Sequence, residues 1–272
     1  MLFRSNERYD VIIIGTGAGG GTVAHELANT GKRILVLERG EFLPREKENW
    51  DPESVYQDQR YYTDEEWCDR NGETLNPQTC YWVGGNTKVY GAALLPLREK
   101  DFEAVEHEGG ISPGWPLKYA DFAPYYTRAE KLFSVHGQKG QDPTEPERDD
   151  YPYPAVGHEP FMQSVVDGLE GLGYAPFNLP VGLRLNEVDK TLSNCIRCAT
   201  CDGFPCLVGG KAAAEISCLR PVLAKDHITL VTGAHVRKLF TDASGREGTG
   251  GKTNIGHDHH VFSGDLVVVP CG

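Results

Sequence analysis

No long hydrophobic run is present. The longest apolar stretches among the 272 residues are Val11-Ile12-Ile13-Ile14 and Leu266-Val267-Val268-Val269, far below the roughly 18 residues that suggest a membrane span. Positive charge is also scarce: 27 Lys and Arg face 39 Asp and Glu, a net charge of −12. On average a nucleic-acid backbone or an anionic membrane face is repelled, which argues against both partners, although a small-molecule pocket can still be locally basic. Residues Met1 to Arg8 lack the pattern of a secretory leader and run almost directly into a strand, so the expected location is the cytoplasm, with reduced thiols. There is no internal repeat. Neither Gly-x-Ser-x-Gly nor His-Glu-x-x-His occurs, which leaves hydrolase chemistry unsupported. What remains is an ordinary globular composition, 39% hydrophobic and 24% charged, enough for one large domain or two small ones.

Residues 9 to 40 read as β-α-β. Tyr9 to Ile14 is a short buried-strand pattern, and Arg33 to Leu37 a second. The helix between them carries Val23, Ala24, Leu27 and Ala28 on one face, and Gly31 is placed to end it. The turn Gly15-Thr16-Gly17-Ala18-Gly19-Gly20 fits G-x-G-x-x-G. That motif gains meaning here because it follows a strand and opens a helix. Gly15 permits the tight turn, Gly17 admits a pyrophosphate, and Gly20 allows close helix–strand packing. Ala18 and Gly19 fall at the helix start, whose N–H groups and partial positive charge suit phosphate. Glu38 ends the second strand, where a carboxylate accepts both ribose hydroxyls and repels a 2′-phosphate, against NADP. The fingerprint by itself does not separate NAD from FAD.

Residues 41 to 82 are polar and aromatic-rich, without a clean period. Helices are expected over 99–110 and 119–134, a loop over 137–160, and a helix carrying Phe161, Val165, Leu169 and Leu172. A short helix is expected over 216–224. Strands are expected at 228–231, 236–240, 261–262 and 266–269, with a turn-rich stretch from Thr241 to Gly251. His257-Asp258-His259-His260 reads as a solvated turn. Lys211, Arg220 and Arg237 read as surface or phosphate-neutralising charges.

Several segments in order carry a family resemblance: Glu38-Arg39-Gly40 after the second strand, Trp82-Val83-Gly84-Gly85-Asn86-Thr87-Lys88-Val89-Tyr90-Gly91-Ala92, then Val231 to Val236 and Asp265 to Gly272. Together they resemble the glucose–methanol–choline (GMC) oxidoreductases, a family of FAD enzymes. The resemblance implies FAD as cofactor, contacted by Gly15, Gly17, Ala18, Gly19, Gly20, Glu38 and Arg39. It also implies that Gly84, Gly85, Thr87, Gly91 and Ala92 line the flavin or pyrophosphate, and that Val236 meets the adenine. Tyr90 stands where many members have asparagine. The implied fold is α/β: a Rossmann-like FAD/NAD(P)-binding domain with a core at 8–40 and 226–272, an inserted helical and loop segment at 41–225, and the C-terminal substrate half absent. The implied reaction is hydride transfer from a CH–OH group of a sugar, polyol or choline-like alcohol to flavin N5, with an unidentified electron acceptor. The family's catalytic histidine lies downstream of such a segment, so this chain alone is expected to be inactive.

Cys195, Cys198, Cys201 and Cys206 lie within twelve residues. Short Cys-x-x-Cys steps resemble an iron–sulfur ligand run, although four residues rather than three precede the last cysteine. Some GMC-type dehydrogenases carry an iron–sulfur cluster in such a segment. Three readings stay open: an iron–sulfur or other metal site, structural or redox-labile thiols, and disulfides, which a reducing compartment opposes. An NAD-dependent dehydrogenase and a catalytically inert FAD-binding fragment are the rival functions.

Overall fold

A computed structural model describes residues 7–271. Its main sheet grows from the apolar runs. Strands β1 (Arg8–Ile14) and β2 (Ile34–Leu37) flank helix α1 (Ala18–Leu27) and pair in parallel, Val11 opposite Ile34 and Ile14 opposite Leu37. Strand β3 (Ile228–Val231) joins the other side of β2, also in parallel. Strands β4 (Ala234–Thr241), β5 (Gly248–Ile255) and β6 (Asp258–Val268) form an antiparallel meander. The sheet order is β3-β2-β1-β6-β5-β4.

Successive strand residues point to opposite faces, and both faces are covered here, so these strands need unbroken apolar runs. Val11, Ile13, Ile34 and Val36 pack in one cluster with Ala24 and Ala28 of the α1 side. Ile12, Ile14, Leu35 and Leu37 pack in another with Val231 and Phe262. The face expected for α1 is the one it buries, and Gly31 takes φ +71° beyond its end.

Three expectations change. The stretch read as turn-rich from Thr241 to Gly251 contains the start of β5, whose Gly-Thr-Gly-Gly run has no apolar alternation to announce it. Gly250 is needed there because a Cβ would stand 2.0 Å from the Phe262 carbonyl oxygen. The separate strands at 261–262 and 266–269 are one strand, which also takes in Asp258 to His260 from the run read as a solvated turn: Asp258 to Ser263 pairs with β5 and Ser263 to Val268 with β1. The helix expected over 99–110 is a 3-10 turn, Glu99–Phe102, followed by a hairpin of Val105–His107 and Gly110–Ser112. The Gly109-Gly110 pair supplies the bend, with Gly110 at φ +134°.

Two compact units are present. One comprises residues up to Gly91 and from Arg197 onward, so 41–91 and 197–225 fold with the sheet. The other is Ala92–Ile196. The second unit holds helices α2 (Tyr119–Leu132) and α3 (Pro160–Gly171), matching the helical periods read at 119–134 and 161–172. Its short ladder has Val135–Gly137 between Tyr153–Pro154 and Val181–Gly182. The His136 ring binds across this ladder, with Nδ1 2.9 Å from the Pro154 carbonyl and Nε2 3.1 Å from that of Leu183. Among the described residues, no helix is long and apolar enough to cross a membrane.

Candidate functional site

The turn after β1 uses its three motif glycines differently. Gly15 takes φ +93°, and a Cβ there would lie 3.0 Å from the Cys271 Cβ. At Gly20 a Cβ would stand 2.0 Å from the Gly15 carbonyl oxygen, so the helix approaches the turn closer than any side chain permits. Gly17 has ordinary φ of −62° and nothing within 4 Å of its missing Cβ. Open space therefore lies before the N-terminus of α1, whose N-cap makes no side-chain hydrogen bond. The unpaired first-turn N–H groups of such a helix suit an anion.

Glu38 is buried at the end of β2. One carboxylate oxygen accepts from the Thr16 N–H at 2.8 Å and from the Thr16 hydroxyl; the other accepts from the Gly40 N–H at 2.8 Å. The fully buried Thr16 hydroxyl also accepts from the Gly84 N–H at 2.9 Å. A Cβ on Gly85 would stand 3.1 Å from the Gly17 Cα. The double-glycine loop thus lies against the first glycine turn, with Gly84 at φ +103° and Gly85 at φ +55°. The Thr87 hydroxyl donates to the Gly84 carbonyl at 2.5 Å and accepts from the Ala214 N–H at 2.9 Å, which holds the loop's shape.

The remaining expected residues fall around this centre less uniformly. Ala18, Gly19 and Gly20 form the first turn of α1, and Pro270 lies 3.1 Å from where a Gly19 Cβ would be. Arg39 is turned to Glu65 and stacks on Tyr81, 3.8 Å from the ring centroid. Gly91 packs against Asp202, whose Oδ1 lies 3.1 Å from a Cβ built there. Ala92 is buried at φ +63° and begins the second unit. Val236 lies on β4, two residues beyond Ala234, whose N–H donates to the Glu38 carbonyl at 2.7 Å. Thr16 escaped the sequence reading because it occupies a variable position of the fingerprint.

One sequence expectation is corrected: Lys211 is not a surface charge, being 1% exposed. Among the described residues, no three His, Cys, Asp or Glu side chains gather into a group able to hold a metal ion. Left-handed backbone at Arg197 (φ +55°) and Ala199 (φ +61°) turns the chain between cysteines. Lys88 and Arg220 both pair with buried Glu215. Burial pushes that carboxyl up, but the charge and hydrogen bond of Lys88, then Arg220, hold it below the ordinary glutamate value.

The open space at Gly17, the free helix N-terminus and a buried acidic acceptor at the end of β2 fit a dinucleotide whose pyrophosphate crosses the glycine turn. A profile described as an NAD(P)-binding Rossmann-like domain matches residues 13–43. Paromamine 6′-oxidase from Streptomyces fradiae is 30% identical over 251 residues, covering 88% of this chain and 43% of that protein. The 6‴-hydroxyparomomycin C oxidase of Streptomyces lividus is 29% identical over 245 residues, covering 87% and 43%. An FAD-dependent oxidoreductase from Chaetomium thermophilum shares the fold, with a TM-score of 0.62 and 15% identity over 97% of this chain and 46% of that one. The chain spans less than half the length of these relatives. In sequence the chain is similar to the N-terminal portion of GMC oxidoreductases, as its glycine motifs implied, and it shares their Rossmann-like fold.

Proposed function

We propose that the Gly15–Gly20 turn receives the pyrophosphate of FAD, that Glu38 receives the adenosine ribose, and that the loop from Gly84 to Ala92 lies along the flavin. The observation that carries this reading is the Thr16 hydroxyl, which joins Glu38 to Gly84. One buried side chain thereby ties the ribose acceptor to the double-glycine loop. Three of the carboxylate's lone-pair directions are taken by Thr16 and Gly40. A carboxylate offers about four, so one remains for a ribose hydroxyl.

The complete protein, in this reading, oxidises a CH–OH group of a sugar, polyol or choline-like alcohol. Bound FAD supplies the acceptor for the hydride that leaves the carbinol carbon. The glycine turn and α1 hold the negative charge of the pyrophosphate, and the Gly84–Gly85 step brings backbone amides close without a Cβ. The hydroxyl proton needs an acceptor. We assign it to the part of the relatives' length that these residues do not cover. His25, His136 and His227 here are engaged with backbone carbonyls of Cys218, Pro154 and Leu183, and Ala28 respectively. The reducing cytoplasm is the compartment that suits this cysteine content.

The absorbance spectrum of the purified protein tests the cofactor. Flavin bands that persist through gel filtration are expected, and Gly17→Val is expected to abolish them. A colourless protein that binds NAD would replace this reading with the nicotinamide one.

A further inference from the structure

Lys211 is one of the largest fully buried side chains of the first unit, and the function proposed above makes no use of it. An ammonium out of water needs its three N–H groups accepted. Here all three find backbone carbonyls: Cys201 at 2.5 Å, Phe204 at 2.8 Å and Lys88 at 3.4 Å. Two of these lie in the cysteine-bearing loop and the third in the double-glycine loop, 123 residues away in sequence. Further bonds join the same two segments. The Gly203 N–H donates to the Val89 carbonyl at 2.7 Å. The Tyr90 hydroxyl donates to the Ala212 carbonyl at 2.9 Å, with the Tyr90 ring centroid 5.8 Å from the ammonium. Asp202 closes over Gly91.

We infer that Lys211 is a positioning residue for the loop Gly84–Gly91: its buried ammonium clamps that loop to the segment Cys201–Phe204, so the two open and close as one unit. The cysteine-bearing loop is then a brace whose backbone, more than its thiols, shapes the loop beside it. Loop carbonyls that no sheet or helix can satisfy gain a charged donor, and hydrogen bonds to charged groups are the stronger kind. The consequence for FAD rests on reading Gly84–Gly91 as the flavin loop; the clamp itself does not.

Amide hydrogen exchange on the full chain, corrected for intrinsic rates, tests this. In Lys211→Met, peptides spanning 84–91 and 201–206 should lose protection together, by about tenfold or more at pH 7, while 228–240 is unchanged. In the wild type the two segments should exchange with the same opening free energy and the same dependence on urea. If the variant fails to fold, that wild-type comparison decides alone. Two segments that open independently, or unchanged protection in the folded methionine variant, would overturn the clamp. FAD titration runs in parallel. Wild-type protein that binds no FAD would refute the flavin reading and leave the exchange result standing. FAD bound with equal affinity by wild type and Lys211→Met, despite loosened loops, would remove only the link to the cofactor.

Discussion

The Thr16 hydroxyl donates to the Glu38 carboxylate across 22 residues of sequence, and it sits where no atom of either residue meets solvent freely. Because the same hydroxyl accepts from the Gly84 N–H, deleting it strips a partner from two buried groups. Thr16→Val, which keeps the shape, should cost about 1–3 kcal/mol in urea unfolding, the usual penalty for stranding buried polar groups. It should also weaken FAD binding, and Thr16→Ser should restore both. Unchanged unfolding in the valine variant would show that the bond carries no weight.

Gly17 and Gly20 should part company under mutation. With nothing within 4 Å of its absent Cβ and an ordinary φ, Gly17→Val is expected to leave apo-protein stability within about 0.5 kcal/mol, as for an open site. It should still remove FAD binding. Gly20→Ala drives a methyl into the Gly15 carbonyl and should destabilise by about 3 kcal/mol or more, since backbone atoms cannot yield as side chains do. Thermal melts with and without FAD separate the two outcomes.

Glu215 should make the first unit acid-sensitive. Its folded-state carboxyl lies below the ordinary value of 4.5, held there against burial by Lys88 and Arg220. Its contribution is thus present above pH 4.5 and lost as pH falls through the lower, folded value. Wild-type urea midpoints should drop on acidification below about pH 4.5, more steeply than those of Glu215→Gln. At pH 7, Lys88→Met should cost about 3–5 kcal/mol, because it leaves a buried charge with only its half-exposed arginine.

Cys80 and Cys218 should resist alkylation. Burial raises both thiols to about 11, so at pH 8 little thiolate forms and none of it is accessible. Exposed Cys68 should react under the same conditions. Mass spectrometry after a brief iodoacetamide pulse reads this directly; rapid labelling of Cys218 in folded protein would contradict the packing of Glu215–Leu219 against α1.

Much of the cofactor end was legible in the chain. Tyr9 to Ile14 and Ile34 to Leu37 announce themselves because a strand buried on both faces must be apolar at every position. The glycine spacing is equally readable, since it meets a local backbone need that Gly15 and Gly20 still show. Strand β5 was not legible: its glycines serve a close approach to Phe262, a demand set by the neighbouring strand. The helix expected over 99–110 did not form because Gly109-Gly110, at its expected end, bends Val105–His107 back on Gly110–Ser112 as a hairpin.

Sequence alone determined the β-α-β unit, the acidic end of its second strand and the resemblance to GMC oxidoreductases, because those signals are local and periodic. Tertiary structure decided what the intervening residues do. Thr16 is an unremarked position until Glu38 and Gly84 arrive on either side of it. Lys211 looks like a surface charge until Cys201, Phe204 and Lys88 turn their carbonyls on it. The cysteine run has ligand-like spacing, yet no group of three ligand-type side chains gathers among the described residues. In each case the outcome rests on partners far away in sequence, or on backbone turns that spacing does not encode, and only the folded chain brings those together.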